Sequence, residues 1–481
     1  MPTGQRSLDD SAIAVRPSAG GLAIAVRCLA LLVAGVLPAL RADAGEAPLG
    51  ASKLLIVAPA EFQASLAEYL AHKARQLPTE LVALEDALSD QAGVDDAEKL
   101  KRFLFQRWRD DRLGYVLLVG DVDRMPVRYM VLDRVTPAAF DFAFYPSDLY
   151  YADLAKADGG FDDWNANRDG FHAQYFGEVR GEKNKDGPIN ADQIDYLPEI
   201  AVGRWPASTA EQAAIAARKT IRYEQGLLAG NKPGANRVAL LAVQGWVDSR
   251  PLLDRVARDL APRWDVTKLY YAAQDQPPTT PPTEAALYQL LQEGAGLVLH
   301  TGHGNTDRWD HCCTVAGLAQ VPTADRLPVL FSAGCSTAHF APLAPYDSYT
   351  AVDGSTQLGT DHGGVFSAPP PPPAVYQRQF NRSGLGEAAL RQADGGAVAY
   401  LGCNTGSQPC ALTLLTGFSQ ALAIADDPRL GDLWVSAVRY YHAQERLAEL
   451  RPTSGWYPPS IFFQGMKFML FGDPTLRLPR A

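Results

Sequence analysis

A histidine followed by glycine and a cysteine preceded by glycine stand 32 residues apart in this chain. They are His303, in Thr301-Gly302-His303-Gly304, and Cys335, in Ala333-Gly334-Cys335-Ser336. Each ends a short apolar run, GLVLH (296–300) and PVLFS (328–332). A thiol attacks a carbonyl as the thiolate, and a neighbouring imidazole or imidazolium is the usual way to depress its pKa. Cys335 is therefore read as the nucleophile and His303 as its general acid/base. The backbone N–H groups of Gly304 and Cys335 are read as donors to the oxyanion of a tetrahedral intermediate. The plainer alternative is a packed core cysteine, because thiols are among the most buried side chains.

Two other sets of residues offer ligand chemistry. Asp163, Asn165, Asn167 and Asp169 place an oxygen-bearing side chain at every second position, as hard cations require. A structural Ca2+ is expected there, against the alternative of a solvated polar turn. His300, His303, His311, Cys312 and Cys313 could be drawn as a zinc cluster. Adjacent cysteines chelate one ion poorly, and residues 300 and 303 leave a strand on opposite faces, so zinc is set aside. The hydrolytic chemistry itself calls for no cofactor.

The elements that position these residues follow from periodicity. Short apolar runs at 53–58 (KLLIVA), 79–84, 115–119 (YVLLV) and 199–202 read as strands. Helical spacing covers 61–75, 99–108 and 209–226. After a Gly/Pro-rich break at 230–234 the alternation restarts, with strands at 238–243 (VALLAV), 296–300, 328–332 and 397–401 and a helix at 252–261. Strand–helix alternation implies an α/β fold of parallel sheet with covering helices, here in two subdomains, 45–234 and 235–481. Parallel sheets collect their sites at the carboxyl ends of the strands, where both His303 and Cys335 fall. A five-proline run at 369–373 is expected to be an extended, solvated insertion.

Residues 1–44 read as an export signal and not as fold. A 13-residue apolar stretch, CLALLVAGVLPAL (28–40), precedes Ala42-Asp43-Ala44, a small-x-small cleavage site. The stretch is short of the ~20 residues that span a bilayer. The protein is thus expected to be secreted or periplasmic, with no membrane span after signal removal. With 44 basic and 54 acidic residues the chain carries −10, which sets nucleic acid aside as a partner. At 481 residues it is too long for a single ordinary core. Five of its six cysteines lie beyond residue 44; Cys403 and Cys410 are spaced to close a small disulfide loop, but pairing is not legible from sequence.

The His-Gly pair, followed by an apolar strand and a small residue before cysteine, resembles the caspase-like clan of cysteine peptidases. The flanking motifs resemble the gingipain family more closely. They are TGHG (301–304), YVLLVGDVDRMP (115–126), SDLYYADL (147–154), YLPEIAVGRWPAST (196–209), LGEAALRQADGGAVAYLG (385–402) and LFGDPTLRL (470–478). The resemblance runs from about residue 53 to the C-terminus. It implies a caspase-like second subdomain and an exported cysteine endopeptidase acting on protein or peptide substrates through an acyl-enzyme. It also implies an acid in the loop 244–249 that orients the histidine, and here that loop offers Asp248. The alternative for Asp248 is a helix cap. The metal loop would close with Gly177-Glu178, making Glu178 a further ligand. The rival readings are a catalytically silent scaffold of the same fold and a transpeptidase that passes the acyl group to an amine.

Overall fold

The computed structural model describes residues 52–132, 143–174, 189–230, 234–272, 280–322, 324–360, 369–378, 383–451, 461–462 and 464–479. The signal-like segment and Glu178 lie outside the described residues. Ten strands form one sheet. In chain order they are β1 (Lys53–Ala58), β2 (Thr79–Ala83), β3 (Leu113–Val119), β4 (Ala201–Trp205), β5 (Arg237–Ala242), β6 (Asp265–Tyr270), β7 (Leu297–Thr301), β8 (Val329–Ser332), β9 (Ala399–Cys403) and β10 (Phe468–Phe471). Their spatial order is β2-β1-β3-β4-β10-β9-β8-β7-β5-β6.

Every contact between neighbours is parallel except β9–β10. The sheet is therefore two parallel runs of opposite direction, joined at one antiparallel seam. This is the α/β class read from the sequence, with strands from both sides of residues 230–234 sharing one sheet. The edge strand β6 escapes the sequence pattern, because DVTKLY leaves its first four residues largely in water and carries no apolar run.

Alternation along each strand splits the core in two. Leu55, Val57, Val116, Leu118, Leu240 and Phe331 belong to one layer; Leu54, Ile56, Tyr115, Leu117, Leu241 and Leu330 belong to the other. Among the described residues the longer helices that cover the faces are α1 (Ala67–Ala74), α2 (Asp96–Asp111), α3 (Ala210–Leu228), α4 (Arg250–Leu260), α5 (Glu284–Glu293), α6 (Leu385–Arg391), α7 (Leu412–Ile424) and α8 (Leu430–Gln444). α2, α4, α7 and α8 pack on the first layer and α1, α3, α5 and α6 on the second. Asp95 caps α2 by accepting the Glu98 N–H at 2.9 Å, and Thr209 and Thr283 cap α3 and α5 the same way.

A buried ionic cluster ties α1, α3 and the turn after β10 together. Lys73 Nζ lies 2.8 Å from Glu224 Oε1 and 2.9 Å from Asp473 Oδ2, with its side chain fully buried. His72 and Gln76 add contacts of 2.6 and 2.8 Å to the second Glu224 oxygen. The proline run is docked and not solvated. Tyr349 donates to the Pro371 carbonyl at 2.8 Å, and Val352 and Ala374 tie the run to the neighbouring hairpin.

Candidate active site

β7 and β8 are in-register parallel neighbours, with His300 opposite Ser332. Their C-terminal ends therefore open side by side. β5 flanks β7 and β9 flanks β8, so four loops meet at this edge: 243–249, 302–306, 333–339 and 404–408.

Glycines let the backbones close on one another. Gly302 sits at φ 115°, a left-handed conformation that suits glycine, and its Cα position is hemmed in by Val243. A Cβ on Gly334 would stand 3.2 Å from the Gly302 carbonyl oxygen and 3.3 Å from Gly304 Cα. A Cβ on Gly304 would stand 3.3 Å from the Cys335 carbonyl oxygen. The histidine loop and the cysteine loop are thus in backbone contact. His303 N–H donates to Gln244 O at 3.2 Å, fixing the histidine turn to the loop after β5.

Cys335 is half-buried, whereas Cys312, Cys313, Cys403 and Cys410 are buried; all five stand as thiols. Its Sγ accepts the Ser407 N–H at 3.3 Å and lies 3.6 Å from the Ser407 carbonyl oxygen. Ser336, next to Cys335, holds φ 54°, and its N–H donates to Thr405 O at 2.8 Å. Sequence reasoning missed Ser407, since it acts through its backbone. The signal lay in the strand AVAYL (397–401) ending, like its neighbours, in a glycine-bearing loop.

Asp248, the acid expected to orient the histidine, is bonded to Arg250 and Tyr271. The Arg250 guanidinium grips both its oxygens, at 2.8 and 2.9 Å, and Tyr271 OH adds a contact at 3.2 Å. The Arg250 hydrogen bond holds the Asp248 carboxyl below its ordinary range. Asp248 also accepts the Arg250 N–H, as a residue at the start of a helix does.

His300 is a different kind of histidine from His303. It is fully buried, stacks on Trp309 with ring centroids 4.5 Å apart, and its Nδ1 lies 2.9 Å from Ser332 Oγ. Burial pushes its pKa down to about 3, so the ring is neutral. Burial pushes the Cys313 thiol up to about 12 and raises Cys312 as well. These residues are packed groups, and among the described residues they form no metal-ligand cluster.

The polar loop gathers its carboxylates differently from the expected register. Asp163 and Asp169 each turn an oxygen onto a nearby loop N–H, of Asn165 and Phe171, and the Asn167 amide donates to Ala191 O. The carboxylates that converge are Asp153, Asp162 and Asp195, whose ligand atoms lie within 4.8 Å of one another. Asp153 Oδ1, Asp162 Oδ1 and Asn165 Oδ1 are buried without a hydrogen-bond partner. Burial raises the carboxyls of Asp153, Asp162 and Glu199, the last to about 7. The buried ammonium of Lys101, 4.6 Å from the Tyr150 ring centroid, is the nearby counter-charge, and burial lowers it to about 8.

Comparison with known proteins places this geometry. The model of peptidase family C25 matches residues 47–479. Gingipain R2 of Porphyromonas gingivalis strain W83 is 20% identical over 298 residues, covering 60% of this chain and 32% of the relative. A gingipain R1 of the same species is 21% identical over 298 residues, 24% of its length. The chain thus spans about a third or less of these curated relatives. The crystal structure of the Arg-specific cysteine proteinase gingipain R superposes with a TM-score of 0.59 at 17% identity, over 90% of this chain and 79% of that one. A complex of the pro- and mature domains of a P. gingivalis gingipain gives 0.59 at 16% identity, over 89% and 80%. At these identities the likeness establishes the gingipain fold.

Proposed function

The chain belongs to peptidase family C25, and on that premise we propose that it is an exported cysteine endopeptidase using Cys335 and His303. The observation that carries the reading is the backbone contact between the Gly302–Gly304 and Gly334–Cys335 turns, with a solvent-reachable thiol at the junction. The Cys335 thiolate attacks the peptide carbonyl carbon, and the C=O π electrons move to oxygen. The N–H groups of Gly304 and Cys335 receive that oxyanion. As the C–N bond breaks, His303 delivers a proton to the amine, leaving a thioester on Cys335. Water then adds to the thioester, His303 takes its proton, and the acid is released with the thiolate restored. The Ser407 N–H supports the sulfur whenever it carries charge.

Protein or peptide segments are the substrates. The segment 1–44 delivers the chain to the periplasm or the exterior, and none of the described helices is long and apolar enough to cross a membrane. We assign the polar loop a structural Ca2+, held by Asp153, Asp162 and Asp195 with Asn165 alongside. Buried carboxyl oxygens lacking hydrogen-bond donors, three carboxylates facing the charges of Lys101 and of Lys156 (3.9 Å from Asp162), suit a hard divalent cation.

The test is hydrolysis of a mixed peptide pool by the parent, Cys335→Ala and His303→Ala. Cleavage that both substitutions abolish supports the reading. Cleavage that survives Cys335→Ala overturns it, and a parent that cleaves nothing leaves the silent scaffold.

A further inference from the structure

The loop after β5 rims the cleft on the histidine side and is built in two faces. Gly245 packs on the histidine turn, where its Cβ would lie 3.0 Å from Gly302 Cα and 3.8 Å from His303 N. Ser249 is buried and bonded to Thr301 at 2.7 Å. The intervening residues Gln244, Trp246 and Asp248 are exposed. Trp246 leaves 71% of its surface in water, and among the described residues of the four site loops it is the one exposed large apolar side chain. An indole held in solvent beside a reaction centre is a surface a substrate can cover.

Among the described residues the carboxylates at this rim are already matched. Arg250 spends Nε and Nη2 on Asp248 and Nη1 on the Tyr271 carbonyl, and its guanidinium lies 4.2 Å from the Tyr271 ring centroid. Asp307 and Asp310, just beyond the histidine loop, share Arg308 at 3.4 Å each. A cationic substrate side chain would surrender its hydration without meeting an unpaired carboxylate at Asp248. An aromatic side chain loses little hydration and gains a ring to stack on.

We infer that this site prefers an aromatic residue next to the scissile bond, selected by Trp246, and rejects arginine and lysine because Arg250 neutralises Asp248. The inference rests on the peptidase reading for its chemistry, but the recognition surface exists with or without turnover.

The test uses peptidyl acyloxymethyl ketones that differ only in the residue beside the warhead, with labelling of Cys335 read by mass spectrometry. Phe is expected to label the parent at least tenfold faster than Arg or Lys. Trp246→Ala should cut the Phe rate about tenfold and leave the Arg rate unchanged. Arg250→Gln, which frees the Asp248 carboxylate, should raise the Arg and Lys rates. Fastest labelling of the parent by Arg or Lys, or an unchanged ranking in Trp246→Ala, overturns the inference. Calorimetric binding of Phe- and Arg-containing peptides to Cys335→Ala separates the two readings. If the parent hydrolyses nothing but the Phe peptide binds through Trp246, the peptidase reading falls and the specificity stands. If peptides are hydrolysed with no dependence on Trp246, the reverse holds.

Discussion

Two histidines three residues apart, His300 and His303, should respond to mutation in opposite ways. His303→Ala and Cys335→Ala remove groups at a site mouth, so peptide hydrolysis should fall by about 10³ or more while urea unfolding changes by less than ~1 kcal/mol. His300→Ala removes a buried ring stacked on Trp309 and bonded to Ser332, so unfolding free energy should drop by about 2–4 kcal/mol. Burial holds the folded His300 at about 3, against an unfolded value near 6.5. Its stability contribution is therefore complete above about pH 6.5 and is lost as pH falls toward 3; His300→Phe should flatten the unfolding curve over that window. The residues with catalytic assignments were legible because strand, glycine and reactive side chain occur together at both 303 and 335. Asp248 was legible as an acid but not as a paired one, since its partner Arg250 lies two residues on and reads only as helix surface. Ser407 was not legible, because a backbone donor leaves no mark in side-chain type.

At the scale of elements, the α1–α3–β10 contact is held by charge as well as by apolar burial. Desolvation alone would raise the Glu224 carboxyl, but the charge of Lys73 and the hydrogen bonds from His72, Lys73 and Gln76 outweigh it and hold it at about 2. A carboxyl whose folded pKa is depressed stabilises fully above its unfolded value, near 4.3, and loses that stabilisation as pH falls toward 2. Urea unfolding at pH 6, 4 and 3 should show this loss in the parent and a smaller loss in Glu224→Gln. Lys73→Met strands two buried carboxylates and should cost about 3–5 kcal/mol. Combining it with Glu224→Gln should cost less than the sum of the two. The helices at 61–75, 99–108, 209–226 and 252–261 were legible from their 3.6-residue period, within a few residues at each end, whereas α5, α6, α7 and α8 went unread. What the period hides is a charged residue on the buried side. Lys73 and Lys101 look like solvated positions in sequence, and only the packing of distant elements shows that they are not.

Across the whole molecule, the polar loop is where a cation would act. Calcium bound only by the folded state adds about 2.7 kcal/mol at a hundredfold excess over Kd. Calorimetric melting should rise with millimolar Ca2+ and fall with chelator, and Asp162→Asn should lose the response while Asp163→Ala keeps it. Because burial raises the Asp153 and Asp162 carboxyls, protons compete for the same oxygens, so the Ca2+ response should grow as pH rises. Persistence of the full response in Asp162→Asn would remove the site from this trio. The sheet's two parallel runs were legible from alternation, but their joining was not. The seam strand β10 pairs with β4 and β9, segments far from it in sequence, and FMLF alone carries no sign of its neighbours.

That seam has a consequence for how the chain is born. β4 ends at Trp205 and its partner β10 begins at Phe468, so more than half the protein must be synthesised between them. Until β10 arrives, β4 and β9 both present open edges, and such edges invite pairing with other chains. Non-local closure of this kind is slow. If the proposed export threads the chain unfolded, β4 again emerges long before β10, and its edge must stay shielded until the closing strand arrives. Whatever covers those two edges in the interval therefore governs how much of the chain folds and how much is lost to aggregation.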